Sequence, residues 1–242
     1  MLFAMAPLCA REQKQEPPQI FFQSPLALTP GATFTFKFRG MKLLTAKEVR
    51  IDGANVLVKV ELKDKKTAEA PKGLEAKEVG DSIVSTEITA PATLALGRVR
   101  VTIVTADGSA TAEMRVAPAV GTIEEKEPNN GFRDAQRIEF GQTIRGGINA
   151  DQDVDTFQFS GHAGQKVRAS VLAARAGSML DGVLTLYDER GHILFTNDDA
   201  EGRDPVLAAT LPADGKYFLA LTDAHDRGGE FHRYELTFEE AK

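Results

Sequence analysis

Apolar and polar residues alternate along most of this chain, and that alternation constrains the fold more than any other feature. In residues 33–39, phenylalanine occupies positions 34, 36 and 38, and polar or charged residues fill the positions between. Successive side chains of a β-strand point to opposite faces, so this pattern is typical of a half-buried strand. The same pattern recurs at residues 56–62, 99–103, 111–116, 157–159, 167–171, 184–186, 193–195, 217–221 and 234–238.

Turn signals separate these stretches and indicate antiparallel sheets. Pro30-Gly31, Asp107-Gly108 and Asp214-Gly215 are turn or hairpin dipeptides. The spacing leaves no room for regular helical crossovers, so the fold class predicted is all-β, with two antiparallel β-sandwiches. The main helical candidate is a short turn around residues 132–138, and residues 63–80, rich in Lys, Glu and Ala, are expected to form a mobile loop with at most a brief helical part.

The 242 residues suffice for two domains, each able to bury its own core. Alternation stops at residues 118–127, a charged and proline-flanked segment that we interpret as the linker. The division predicted is a truncated signal and linker at residues 1–17, an immunoglobulin-like sandwich at 18–117, the linker at 118–127, and a jelly-roll sandwich at 128–242. The signal is inferred because residues 1–10 are apolar and precede a polar run.

Charge is distributed unevenly and narrows the choice of partner. Residues 122–242 hold 22 acidic and 13 basic residues, a net charge of −9, whereas residues 1–121 have a net charge of +3. An acidic second half argues against nucleic acid, because a surface that binds phosphates must be basic. No stretch is apolar over the roughly 20 residues that a membrane-spanning helix needs. The single cysteine, Cys9, has no partner for an internal disulfide.

Two resemblances to known families appear in the sequence. The second half resembles the bacterial pre-peptidase C-terminal domain, a small jelly-roll module that often follows secreted proteases. The matching stretches are residues 125–130, 151–159, 163–167, 184–188, 197–199 and 211–218. The first half is similar to immunoglobulin-like modules of the IPT/TIG type, through Pro25, Pro30-Gly31, Gly40 before Leu43-Leu44, Gly97 and Asp107-Gly108.

These resemblances imply a non-catalytic, extracytoplasmic protein that serves in targeting, adhesion or folding. The related collagen-binding domains of clostridial collagenases bind calcium where the N-terminal linker meets the sandwich. The resemblance therefore implies a structural calcium ion in the corresponding region of this chain.

Two groups of oxygen-bearing side chains lie in that region. The candidate metal ligands are Glu125, Glu127, Asn129 and Asn130 in the linker, and Asp151, Asp153 and Asp155 beyond it. Calcium takes six to eight oxygen ligands, and alternate residues of an extended strand face the same side, so two or three of these aspartates could converge there. The alternative is that the asparagines cap the short helix and the aspartates form polar turns.

Two further patterns in the second half suggest metal binding. An EF-hand loop beginning at Asp151 is excluded, because its sixth position is Thr156 and its twelfth is His162, where glycine and glutamate are required. A second acidic loop, residues 197–204, could hold an ion together with Asp181, but a solvated hairpin loop explains it as well.

No catalytic motif is present in the sequence. His-Glu-x-x-His, Gly-x-Ser-x-Gly and phosphate-cradling patterns are all missing, and the four histidines are isolated and expected to be exposed. The function predicted is a secreted or cell-surface binding module that is not an enzyme and whose partner is an extracellular protein or polysaccharide. A structural spacer without metal and a hydrolase with an unrecognised site remain as alternatives.

Overall fold

The structure is a computed structural model that describes residues 16–241. Residues 1–15, which contain most of the predicted signal and linker, lie outside the described residues. The regular secondary structure of the described residues is almost entirely strand, arranged as two sandwiches of two sheets each, which confirms the all-β prediction. No helix among the described residues has both the length and the apolar character needed to span a bilayer.

The first sandwich contains eight strands and one short helix. The strands are β1 (Gln19–Ser24), β2 (Ala27–Leu28), β3 (Thr33–Met41), β4 (Glu48–Asp52), β5 (Lys59–Thr67), β6 (Ser82–Thr89), β7 (Gly97–Thr105) and β8 (Gly108–Val116), with helix α1 (Ala76–Val79) between β5 and β6. One sheet has the order β1-β3-β6-β5 and the other the order β2-β8-β7-β4. Their facing apolar residues form one continuous core.

The alternating phenylalanines of β3 define the inner face of that sandwich. Phe36 and Phe38 are completely buried, as the pattern predicts. Phe34 lies on the same face nearer the end of the strand and remains 37% exposed. The core therefore ends at Phe34, which has one side open to solvent.

The second sandwich contains ten strands. They are β9 (Thr122–Glu124), β10 (Gln136–Arg137), β11 (Gln142–Gly147), β12 (Asp155–Gly161), β13 (Lys166–Leu172), β14 (Gly182–Asp188), β15 (Ile193–Asn197), β16 (Val206–Thr210), β17 (Gly215–Asp223) and β18 (Arg233–Glu240). The sheet orders are β10-β12-β17-β14-β15 and β16-β13-β18-β11-β9.

The first and last strands of the second sandwich lie on opposite sides of β11. Strand β9 pairs with β11 in parallel, and β18 pairs with it antiparallel, so Thr143 is flanked by Thr122 and Thr237. Strand β9 falls inside the segment predicted as a linker, because its three residues complete the edge of this sheet.

Two local predictions need correction in part. The segment at residues 63–80, predicted as a mobile loop with a brief helical part, contains helix α1 but begins as strand, because β5 continues to Thr67 as an exposed edge paired with β6. The short helical turn predicted at residues 132–138 is a turn without a helix, and β10 follows it. There the Gln136 side chain bonds to backbone atoms of Glu124 and Lys126, which holds the segment extended.

The hydrogen bonds and ion pairs between the two sandwiches come from β1, β3, β8 and Thr29 of the first, and from β11, β18 and the loops that contain Gly177 and Glu230 of the second. Glu235 of β18 is almost buried and accepts hydrogen bonds from Arg115 of the first sandwich (2.7 Å) and Arg145 of the second (3.2 Å). The Gln23 backbone donates to the Gly177 carbonyl at 2.8 Å, and Lys37 pairs with Glu230. The junction therefore includes several charged and polar contacts, as is common between domains of one chain.

Candidate functional site

Three carboxylates converge where the chain enters the second sandwich. One oxygen from each of Glu125, Glu127 and Asp155 lies within 4.8 Å of the other two. Glu125 follows β9, Glu127 lies two residues further on, and Asp155 is the first residue of β12. We call these three residues the carboxylate cluster.

Glu125 is held from three directions. Its Oε1 accepts hydrogen bonds from the Tyr234 hydroxyl at 2.7 Å and from Asn129 Nδ2 at 2.9 Å. Its Oε2 accepts one from the Gly147 backbone N–H at 2.9 Å. These three donors fix the carboxylate in one orientation.

Glu127 is exposed but also oriented. The Asn129 backbone N–H donates to its Oε2 at 3.0 Å, and Asn149 Nδ2 donates to its Oε1 at 3.1 Å. Its exposure places it on the solvent side of the carboxylate cluster. The cluster therefore has one buried member, one half-buried member and one open member.

Asp155 is fully buried, and neither of its oxygens has a hydrogen-bond donor among the described residues. The neighbouring Asn129 Oδ1 is likewise buried without a donor. Burial raises the pKa of Asp155 to about 10, and the nearby Glu125 carboxylate adds to that shift. Asp155 therefore holds a proton at neutral pH unless another positive charge replaces it.

Gly146 of β11 leaves the space in which this arrangement is built. A Cβ atom at this position would lie 2.5 Å from the Tyr234 hydroxyl and 2.6 Å from Glu125 Oε2. Real side chains do not approach so closely, so any residue larger than glycine would displace the Tyr234–Glu125 hydrogen bond.

The other predicted site residues lie outside the carboxylate cluster. The expectation that three aspartates share one strand face is wrong, because Gln152 has φ 66° in a turn and the strand begins only at Asp155. Asp151 accepts the Gly228 backbone N–H at 3.2 Å instead. Asn130 is exposed.

Asp153 also serves its own turn rather than the cluster. Its Oδ2 accepts the Asn149 backbone N–H at 2.7 Å, and its Oδ1 accepts that of Val154 at 3.0 Å. Because Asn149 donates to Glu127, Asp153 supports the open side of the carboxylate cluster indirectly.

The second acidic loop is organised differently. Asp204 is fully buried, and it accepts hydrogen bonds from Ala174 N (2.7 Å), Arg175 N (3.3 Å) and Arg175 Nε (2.8 Å). Burial raises the pKa of Asp181. Within residues 16–241, only the carboxylate cluster brings three potential metal-binding side chains within 4.8 Å.

One histidine departs from the expectation that all four are exposed. His162, His192 and His225 have exposed side chains, but His232 is only 4% exposed. Burial lowers the pKa of His232, so its imidazole is neutral at pH 7. Its position at the start of β18, beside the first sandwich, was not apparent from the sequence.

A groove of about 520 Å³ lies between the two sandwiches and ends at the carboxylate cluster. We call it the inter-sandwich groove. Pro25, Leu26 and Phe34 are among its lining residues from the first sandwich. From the second sandwich it is lined by Glu124, Glu125, Glu127, Arg145, Asn149, Arg233, Tyr234 and Glu235, among others.

Part of the second sandwich matches the model of a known protein family. Residues 153–223 match the family model for the bacterial pre-peptidase C-terminal domain. The second sandwich carries this domain. Asp155 of the carboxylate cluster lies at the beginning of the matched region of the pre-peptidase C-terminal domain, and the two glutamates precede it.

A curated relative is a probable subtilase-type serine protease of Deinococcus radiodurans, 39% identical over 106 residues. The match covers 43% of this chain and 15% of the relative, so the chain corresponds to a small part of that protein. The relative's name describes the whole protease, of which this match spans only a fraction.

Two solved structures show partial likeness. The pre-peptidase C-terminal domain of a Bacillus anthracis collagenase is 22% identical, with 46% of this chain and 100% of that one covered, at a TM-score of 0.38. A periplasmic inhibitor of g-type lysozyme from Aeromonas hydrophila is 14% identical, with 50% and 99% covered, at a TM-score of 0.36.

Sequence reasoning missed three components of the site. Tyr234 fits the core alternation of β18, and nothing local shows that its hydroxyl reaches Glu125. Asn149 and Arg233 lie 84 residues apart and meet only through the pairing of β11 with β18. The inter-sandwich groove depends on how the two sandwiches dock, for which the sequence offers no pattern.

Proposed function

We propose that this chain is a non-catalytic, extracytoplasmic binding module whose second sandwich holds a structural calcium ion. The ligands are the carboxylates of Glu125, Glu127 and Asp155 and the side-chain oxygen of Asn129. The observation that carries the proposal is the buried Asp155 carboxyl group, which has no donor among the described residues and lies beside two other carboxylates.

The chemistry of the donor set favours calcium over other cations. All four side chains offer oxygen, the donor atom that hard cations prefer, and neither sulfur nor imidazole nitrogen takes part in the cluster. A divalent ion would relieve the repulsion among the three carboxylates and supply the positive charge that buried Asp155 lacks. Calcium also tolerates irregular geometry and fills its remaining positions with water or other oxygen donors.

The ion would tie the entry segment of the second sandwich to its interior. Glu125 and Glu127 precede β10, whereas Asp155 begins β12 and Tyr234 belongs to β18. The residue after Tyr234 is Glu235, which pairs with Arg115 of the first sandwich. An ion bound at the cluster would therefore order the same strand that fixes the angle between the two sandwiches.

The binding role is supported by the family of the second sandwich and by the inter-sandwich groove. Pre-peptidase C-terminal domains are non-catalytic appendages, and no activity of the protease relative is carried over to this chain. Both sandwiches line the groove, and its volume of about 520 Å³ is in the range of ligand pockets.

Calorimetric titration of calcium into chelator-treated protein tests the proposal, together with thermal melts in calcium and in EDTA. At calcium 100-fold above Kd, binding adds about 2.7 kcal/mol to the stability, which raises Tm by roughly 10 °C. Asp155→Asn should abolish both the heat and the shift.

Asp151→Asn is the matched control. It removes the same charge four residues away, from a side chain whose contact is the Gly228 backbone N–H. It should leave calcium binding intact. No heat from the wild-type protein, or equal loss in both variants, would contradict a calcium site at the carboxylate cluster.

A further inference from the structure

We infer that the inter-sandwich groove binds a neutral sugar residue of a polysaccharide, whose hydroxyl oxygens complete the coordination of the ion. This inference rests on the proposed function, because it places the ion at the end of the groove. It adds a ligand class and a set of contact residues that the proposed calcium site does not itself require.

The groove has the size and the mixed lining of a small-molecule site. Its volume of about 520 Å³ falls within the range of ligand pockets, roughly 300 to 1,000 Å³. The first sandwich contributes an apolar wall that includes Pro25, Leu26 and Phe34. The second sandwich contributes charged and amide side chains. A sugar ring likewise combines apolar and polar surfaces, since it has apolar C–H faces and a rim of hydroxyl groups.

The carboxylate cluster leaves the ion open toward the groove. Asp155 and Asn129 are fully buried, and the half-buried Glu125 is held from the interior by Tyr234. Glu127 is exposed and lines the groove. With one oxygen from each of the four side chains, two to four of calcium's six to eight positions would remain, and adjacent hydroxyls of a sugar in the groove would fill them beside Glu127.

Arg233 provides a hydrogen-bond donor beside those positions. Its Nη1 bonds to Asn149 Oδ1 at 3.3 Å, and Asn149 in turn donates to Glu127 at 3.1 Å. Among the described residues no carboxylate lies within ion-pair distance of Arg233, in contrast to Arg115 and Arg145. Its Nε donates to the Glu230 carbonyl at 3.3 Å, which leaves Nη2 without an acceptor among the described residues and able to donate to hydroxyl oxygens.

Phe34 provides the apolar surface. Its neighbours Phe36 and Phe38 are completely buried on the same strand face, whereas Phe34 is 37% exposed where it lines the groove. An aromatic ring with one open face packs well against the C–H face of a sugar, and burying it removes apolar area from water.

The charges around the groove favour a neutral ligand over an acidic one. The carboxylates at the groove and its end are Glu124, Glu125, Glu127, Asp155 and Glu235. Their five negative charges are balanced by Arg145 and Arg233 in the groove, by Arg115 on Glu235, and by the two positive charges of the ion. A further carboxylate on the ligand would be left unbalanced in a partly desolvated site.

Calorimetry on the full chain with five neutral hexasaccharides tests this inference: cellohexaose, xylohexaose, mannohexaose, maltohexaose and N-acetylated chitohexaose. We expect at least one to bind in saturating calcium, and its affinity to fall at least tenfold in EDTA. Trigalacturonate and a hexaglutamate peptide are the acidic arms, and both should bind more weakly than that neutral sugar.

Two variants test sugar binding in the groove independently of calcium binding. Phe34→Leu keeps an apolar side chain but removes the ring, and it should weaken sugar binding about tenfold while calcium affinity stays unchanged. Leu57→Ala is the control, since Leu57 is an apolar residue of the first sandwich that is 91% exposed outside the groove. It should change neither affinity.

The outcomes distinguish the two proposals. Heat from calcium with none from the five sugars would overturn the sugar site and leave the calcium site standing. Sugar binding that is equal in EDTA, tighter binding of an acidic arm, or an unchanged affinity in Phe34→Leu would overturn this inference as well. An absence of calcium heat would overturn both.

Discussion

Two aspartates of the second sandwich are equally buried and have opposite surroundings. Asp204 and Asp155 both have no exposed surface. Asp204 accepts three hydrogen bonds, two from backbone N–H groups and one from the Arg175 guanidinium. Asp155 has no donor among the described residues and faces a second carboxylate, Glu125.

The fold itself supplies hydrogen-bond donors to Asp204, whereas it leaves the Asp155 carboxyl group without one among the described residues. Both lie in acidic segments that look alike in sequence, residues 151–155 and 197–204. Burying a charge is unfavourable unless hydrogen bonds or an opposite charge compensate for it. The local donors, not the density of acidic residues, therefore decide which segment is a metal candidate.

The largest expected effect is a difference between the wild type and Asp155→Asn in how stability depends on pH. In EDTA the folded pKa of Asp155 is about 10, above the unfolded value of roughly 3.9, so the folded protein binds more protons between these values. The stability of the wild type should fall as pH rises through this window, by up to about 1.4 kcal/mol per pH unit.

Urea unfolding of both proteins in EDTA at pH 5, 6.5 and 8 measures this effect. Asp155→Asn lacks the titrating group, so its free energy of unfolding should rise relative to that of the wild type at each increase in pH. Calcium should remove the decline in the wild type, because the ion replaces the proton. Parallel pH profiles of the two proteins in EDTA would show that Asp155 does not carry the raised pKa.

Asp204→Ala should lower the free energy of unfolding by about 3 kcal/mol, which is the next largest effect. The substitution leaves the buried N–H groups of Ala174 and Arg175 without an acceptor. Because Asp204 is not part of the proposed metal site, the loss should be the same in EDTA and in calcium, as measured by urea unfolding. A loss confined to calcium-containing buffer would mean that this loop also binds the ion.

Arg175→Ala should have the smallest effect and lower the free energy of unfolding by about 1 kcal/mol or less. The Arg175 side chain is 43% exposed, so solvent screens its ion pairs with Asp204 and Glu201. The two backbone donors to Asp204 remain in this variant. If thermal melts showed a loss as large as that of Asp204→Ala, the guanidinium rather than the backbone would be what satisfies Asp204.

Much of the fold could be predicted because alternation records directly which side of a strand is buried. Phe36, Phe38 and Phe238 are core residues in the positions where the period of two puts them. The prediction fails where tertiary pairing overrides composition, as in the Lys-rich end of β5, whose side chains are all exposed and whose backbone is held by β6.

The candidate site could be predicted only in part. The linker glutamates and Asp155 were identified from residue type and resemblance, and calcium at that position stays a prediction. The sequence could not reveal that Asp151 and Asp153 are committed to backbone N–H groups, because one residue with positive φ, Gln152, ends the alternation on which the argument depended. Nor could it reveal Tyr234 and Arg233, which β18 brings in from more than 80 residues away.

The placement of β9 and β18 on either side of β11 has a consequence for protein engineering. Thr122 and Thr237 flank Thr143, so the two ends of the second sandwich emerge about 10 Å apart at the same end of the sheet. A unit with adjacent ends can be inserted into a surface loop of a host protein without stretching it. Because Glu125 lies three residues after Thr122, such a graft would carry strain from the host loop to the carboxylate cluster, and the calcium site proposed there would report tension in the host.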